Sequence, residues 1–318
     1  MESPDRLRAQ DGAEYLTTLD VDLGGPVSLV VTLECGQAFR WRVAAFPCRP
    51  DLKVSYRGIL PVGKCQVAMS VGQEAAVTRS VAVAYDSRYT CGLSQGSIRE
   101  AVQRYFSSSD DVAAIEESIS SVDPVMSSAV PQGHGLRILL QDHWECLASY
   151  VLSINNNIPS ITRIVEHFAL CLGDQVGLGE YGFPTPEKIA CQDSGFLRQS
   201  KCGFRDRYLK DAAEKVCSGE VGLVALERMP TEQAREHLMR IRGVGPKVAD
   251  CVLLFGYHRL DVFPTDVWIA RAMSRFYQDG RAVTPKVARE EGMRRFGQLA
   301  GYAQEYLFFR IRGDRPTH

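Results

Sequence analysis

The segment Leu238-Met-Arg-Ile-Arg-Gly-Val-Gly-Pro-Lys-Val-Ala-Asp-Cys251 limits the fold more than any other stretch of the chain. Apolar residues recur at helical spacing on both sides of a break that holds two glycines. Thr231 to Ile241 reads as one helix, Gly243 and Gly245 supply a tight turn, and Pro246 suits the first position of the next helix. The expected unit is a helix-hairpin-helix. Its glycines let backbone amides come close to an anion, and the free N–H groups at the second helix's start point outward, so Gly243, Val244 and Gly245 suit a DNA phosphate.

Lys247 falls in the first turn of that second helix. The positive end of the helix dipole opposes an ammonium there and favours the neutral, nucleophilic amine. An arbitrary lysine is usually a solvated surface group. Here Asp266 follows in Val262-Phe-Pro-Thr-Asp-Val-Trp-Ile-Ala-Arg271, at the expected start of another helix. A carboxylate that caps that helix stays ionised and fixed, ready to stabilise a developing positive charge.

Two units are expected around this hairpin. Residues 15–85 carry short β-rich runs, Ser28–Leu33, Phe39–Val43, Lys53–Leu60 and Val77–Tyr85, separated by Gly, Pro and Asp. Ser97–Phe106 and Asp110–Ser121 have helical periodicity, and after Pro131-Gln-Gly-His-Gly135 the chain reads as helical almost to its end. Helix starts are expected after Asn157 and at Thr185-Pro186-Glu187, and a helix end at Gly219. The class is α+β: an N-terminal antiparallel β-sheet domain with trailing helices over residues 1–134, then an all-α helix-hairpin-helix domain over 135–318.

Net charge is −1, which alone argues against a nucleic-acid partner. The balance is uneven: residues 1–134 hold 12 Lys and Arg against 16 Asp and Glu, and the remainder 25 against 22. Phosphate binding must therefore come from local clusters and backbone amides. The ten cysteines are scattered, with no Cys-x-x-Cys pair, and read as reduced thiols of an intracellular protein. His143-Trp-Glu145 has the His-x-Glu spacing of a zinc deaminase but lacks the other ligands, so neither a metal nor a cofactor is expected. No apolar run approaches the ~20 residues of a membrane helix, and residues 1–14 lack the apolar core of a secretory signal.

The hairpin, the lysine and the downstream Pro-x-Asp resemble the signature of the 8-oxoguanine DNA glycosylase family, and the resemblance runs from about Leu23 to Arg310. It implies a TBP-like sheet domain, a monomer acting in the nucleoid or nucleus on double-stranded DNA that contains 8-oxoguanine, and a bifunctional glycosylase and AP lyase. Lys247 would attack C1′ of the damaged nucleotide, and Asp266 would be the essential carboxylate. Gly36, in Cys35-Gly-Gln-Ala-Phe-Arg-Trp41, matches the glycine whose carbonyl accepts the N7–H that guanine lacks. Cys251 and Phe308 match the residues that sandwich the flipped base, and Gln304 the one that reads its Watson–Crick edge. Asn155 matches the residue that fills the vacated space, Phe204 an aromatic wedge, and Arg205 an arginine on the estranged cytosine. Ser160 stands where well-known eukaryotic members have a second cytosine-reading arginine, and Trp268 where they have a histidine. Two other readings stay open on the residues alone: a relative that removes other damaged bases, and a non-catalytic hairpin that only grips DNA.

Overall fold

The computed structural model describes residues 15–44 and 49–313, and the expectation for residues 1–14 lies outside them. The chain opens with β1 (Leu16–Val27), a short helix α1 (Leu29–Glu34), β2 (Arg42–Val43), β3 (Val54–Val62), β4 (Cys65–Gln73) and β5 (Thr78–Asp86). These strands form one antiparallel sheet in the order β1-β5-β4-β3-β2. Strands β3 and β4 pair over their full length, from Val54 opposite Gln73 to Val62 opposite Cys65. Val21, Leu23, Leu60, Val67 and Met69 on this sheet meet Ile98, Val102 and Tyr105 of α2 (Gln95–Tyr105) in a buried core. Burial of such side chains contributes roughly 1.5–3 kcal/mol each.

Three expectations fail here, the first being Phe39–Val43, of which only Arg42–Val43 is a strand. Ser28–Leu33 is not a strand: the Ser28 side chain accepts from the Val31 N–H, and Leu29, Thr32 and Leu33 are buried on one face of α1. The β-branched Val30-Val31-Thr32 run carries the β signal, but capping and tertiary burial override it. Cys65 and Cys91 are joined in a disulfide, against the expectation of reduced thiols throughout.

Helices follow: α3 (Val112–Val122), α4 (Pro124–Ala129), α5 (His143–Leu152) and α6 (Ile158–Leu172), capped at Asn157 as expected. A two-stranded ribbon, β6 (Gln175–Gly177) with β7 (Glu180–Tyr181), interrupts the helical part. Then come α7 (Pro186–Ala190), α8 (Ser194–Gln199), α9 (Arg205–Ser218), α10 (Leu223–Leu226), α11 (Thr231–Leu238), α12 (Pro246–Tyr257), α13 (Val267–Tyr277), α14 (Pro285–Phe296) and α15 (Ala300–Gly313). Helix α11 stops three residues short of Ile241, because Met239 onward turns into the hairpin. The α9 terminus carries Gly219 at φ +78°, the left-handed cap its position suggests.

Buried polar side chains join the sheet to the helices. Arg137 is fully buried, and its guanidinium donates to the carbonyls of Leu23, Pro26, Phe106 and Ser107. Gln37 donates to the carbonyls of Thr32 and Arg137, and its own Oε1 accepts from Leu139 N–H at 2.8 Å. The Gln37 carbonyl accepts from Gln141 and from the Tyr150 hydroxyl on α5. The loop between α1 and β2 is thus clamped against the helical part. Among the described residues no helix is long and apolar enough to cross a membrane, and no group of three His, Cys, Asp or Glu is placed to hold a metal. His143 instead stacks on Tyr257, and Glu145 faces Arg40.

Candidate active site

Hairpin geometry follows from two glycines with different duties. Gly243 has φ +85°, and a Cβ there would come within 2.6 Å of the Tyr208 ring, so both backbone angle and packing require glycine. Gly245 caps α12 with no side-chain hydrogen bond, and a Cβ on it would meet nothing within 4 Å. Its open side leaves room for a phosphate to reach the amides of the helix start. Val244 is buried beneath the turn and anchors it.

Helix α12 is held from inside. Asp250, fully buried, pairs with Arg235 of α11 at 2.6 Å and with Arg289 of α14. That fixes the face bearing Lys247 and Cys251, one turn apart. Lys247 is half-buried, with Nζ 5.2 Å from the centroid of the Tyr150 ring, and Tyr150 stacks on Phe255 at 5.6 Å. The Tyr150 ring thus seats the end of the Lys247 chain at the cavity wall.

Asp266 is the N-cap of α13, as its position in the sequence suggests. One carboxylate oxygen accepts from the N–H groups of Trp268 and Ile269, both at 2.9 Å. The half-buried carboxylate is therefore held in one orientation.

These residues meet in one cavity of about 60 Å³. Gly36, Lys247, Cys251, Asp266, Gln304 and Phe308 all line it, although they lie on the α1–β2 loop, α12, α13 and α15. Burial pushes the Cys251 thiol up to about 12, opposed by the charge of Lys247, so the sulfur stays protonated as a packing surface. Gly36 has φ +100°, and a Cβ on it would sit 2.9 Å from Ile158 Cδ1. Gly36 thus lines the cavity in a backbone angle that side chains disfavour. Arg312 completes this wall: it donates to the Cys35 carbonyl at 2.9 Å and lies 5.3 Å over the Phe308 ring.

The remaining three expected contact residues lie outside this cavity. Asn155, exposed, has φ +49°; its carbonyl and that of Ile154 accept from Arg205. Arg205 also donates to the Cys202 carbonyl and stacks at 4.6 Å on Phe204, which is 40% exposed. Ser160 accepts through its hydroxyl from Arg163, one turn further along α6. Trp268 lies under Arg271 at 5.0 Å.

Sequence reasoning did not single out Tyr150, Phe255, Pro264, Ile269 or Glu305, which also line the cavity. The aromatic and apolar ones read as ordinary core. Glu305 carried a signal that could have been used, since a charge interrupts the apolar stretch Ala303-Gln-Glu-Tyr-Leu-Phe308.

Residues 24–147 match the family described as 8-oxoguanine DNA glycosylase, N-terminal domain, and residues 148–298 the HhH-GPD superfamily of base excision DNA repair proteins. MBOgg1, solved in complex with a low-affinity DNA ligand, is 35% identical over 94% of this chain and 96% of that one, with a TM-score of 0.81. The chain belongs to the 8-oxoguanine DNA glycosylase family. Within that family, the Clostridium acetobutylicum 8-oxoguanine glycosylase/lyase, solved with double-stranded DNA containing cytosine opposite 8-oxoguanine, is 30% identical. The match covers 92% of this chain and 93% of that one, with a TM-score of 0.79. The N-glycosylase/DNA lyase of Saccharomyces cerevisiae is 30% identical over 271 residues, 79% of this chain and 68% of that protein.

Proposed function

We propose that the protein excises 8-oxoguanine from duplex DNA in base excision repair and then nicks the abasic strand as an AP lyase. The observation that carries this reading is the convergence of Lys247, Asp266, Cys251, Gln304, Phe308 and Gly36 on one cavity beside the hairpin. A hairpin that only gripped DNA would need no lysine amine and fixed carboxylate at the wall of a pocket.

The residues have distinct tasks. Amides of Gly243-Val244-Gly245 hold a phosphate, while Phe204 and Asn155 occupy the space the flipped nucleotide leaves. Cys251 and Phe308 stack on the base, Gln304 reads its Watson–Crick edge, and the Gly36 carbonyl accepts N7–H. Lys247 Nζ bonds to C1′ as the bond to N9 breaks, and Asp266 stabilises the positive charge that develops on the sugar. The sugar ring then opens to a Schiff base on Lys247, loss of a C2′ proton expels the 3′ phosphate, and water releases the lysine.

We assign the sheet and its trailing helices, residues 1–134, and the helical remainder, 135–318, to two domains, and propose a monomer acting on DNA within the cell, in nucleoid or nucleus. The reading is tested by borohydride reduction on a duplex with one 8-oxoguanine opposite cytosine. A covalent protein–DNA adduct is expected from the wild type and none from Lys247→Gln. An active protein that leaves no adduct would remove the Schiff base from the mechanism.

A further inference from the structure

One polar group in the cavity has no part in the chemistry above. Glu305 follows Gln304 on α15, lines the same cavity and is 4% exposed. Carboxyl groups are rarely kept at such depth without partners, because desolvation of the charged form is costly. Among the described residues, however, Glu305 Oε2 has no hydrogen-bond partner, and neither does Oε1 of the adjacent Gln304.

The surroundings explain why these two oxygens are left over. The neighbouring Cys35, Gln304 and Arg312 favour the ionised carboxyl, and Asp266 opposes it. Burial is the largest influence, and the group is pushed up to about 7. The Gln304 amide leaves its Oε1 without a donor among the described residues. Two buried, unpartnered acceptors on consecutive residues therefore line the cavity, which Gly36 lines as well. A ligand that satisfies them must offer several donors, two of them adjacent on one edge.

We infer that Glu305 is a specificity-determining residue: with Gln304 Oε1, its Oε2 accepts the adjacent N1–H and 2-amino donors of a guanine-type base. This rests on the proposed function and deepens it. Gly36 would register oxidation, and the Gln304–Glu305 pair would register that the oxidised base derives from guanine. An adenine-type base offers an acceptor at N1 and would leave a buried oxygen unpaired.

The test uses 8-oxohypoxanthine, which differs from 8-oxoguanine only by lacking the 2-amino group. Single-turnover excision of each, opposite cytosine, is measured for the wild type, Glu305→Leu and Glu305→Gln, with binding to an abasic-site analogue as the folding control. The wild type should favour 8-oxoguanine by about tenfold or more, since a site built to bond a polar group rejects the analogue without it. Glu305→Leu should bring the two rates within about twofold of each other, while Glu305→Gln, which keeps an acceptor oxygen, should retain most of the ratio. A wild-type ratio near one, an unchanged ratio in Glu305→Leu, or its collapse in Glu305→Gln would overturn the inference alone. Should Glu305→Leu fail to fold, the wild-type and Glu305→Gln ratios decide. A wild type that excises neither base would overturn the proposed function, and this inference with it.

Discussion

The cavity, lined from α12, α13, α15 and the α1–β2 loop, and the rim formed by Asn155, Ser160 and Arg205 near the ends of α5, α6 and α9 differ in how their polar groups are committed. Among the described residues, Gln304 Oε1 and Glu305 Oε2 in the cavity have no partner, and the Asp266 carboxylate accepts from its own helix start. On the rim the arginine expected to read the opposite base is already occupied. Arg205 gives its N–H groups to the carbonyls of Ile154, Asn155 and Cys202, and Ser160 engages Arg163. Free groups in a buried setting select sharply, because an unmatched ligand leaves them unpaired. Groups already satisfied by their own chain discriminate less. The molecule should thus be exacting about the damaged base and tolerant of the base across from it.

The largest effect expected is loss of the nucleophile. Lys247→Gln should still bind damaged duplex, since the hairpin amides and cavity remain, while excision falls below detection in a single-turnover assay. Asp266→Asn comes next. Asparagine caps a helix about as well as aspartate, so α13 should persist and the melting temperature hardly move. Excision should slow by on the order of 10²–10³-fold, the size typical for removing one preorganised electrostatic group. A melting temperature that falls with the rate would reveal a structural role instead.

Gly36→Ala follows. Its Cβ points to Ile158, not into the open cavity, so the substitution acts by displacing a loop at φ +100° and moving the carbonyl. Excision should fall while binding to an abasic-site analogue stays the same, and 7-deaza-8-oxoguanine, lacking N7–H, should be removed more slowly than 8-oxoguanine by the wild type. Equal rates on the two bases would exclude the Gly36 carbonyl as the discriminator. The smallest effect concerns the rim. Rates on the four opposite-base duplexes should spread less than in members with two arginines, by about 1–3 kcal/mol, and Ser160→Arg should widen the preference for cytosine. A steep preference in the wild type would mean that the rim is not tolerant, with Arg163 the nearest candidate for the reader.

Legibility in the sequence followed how local each feature is. The hairpin, the α12 start at Pro246 and the Asp266 cap are set by neighbouring residues, and all were readable. Ser28–Leu33 misled because a β-branched run became a helix only through its cap and the burial of Leu29 and Leu33. The Cys65–Cys91 link depends on how β4 and the segment after β5 meet, which cysteine spacing does not encode. Within the site, Lys247 and Asp266 could be argued from helix-end electrostatics. Gly36 and Gln304 came from resemblance, because their distant segments meet only through tertiary contacts such as the Arg312 bond to the Cys35 carbonyl. Glu305 was passed over beside a neighbour of expected role.

The single cavity has a consequence for how such a chain can change over generations. Lys247, Cys251 and Asp266 fall inside residues 148–298, the stretch shared with base excision proteins at large, whereas Gly36 precedes it and Gln304, Glu305 and Phe308 follow it. The residues proposed for bond breaking form an inherited middle, and most of those proposed for base reading are attached at its two ends. Drift in either flank can retune which lesion is admitted while the reaction itself stays untouched, so diversity of substrate can accumulate around a constant engine.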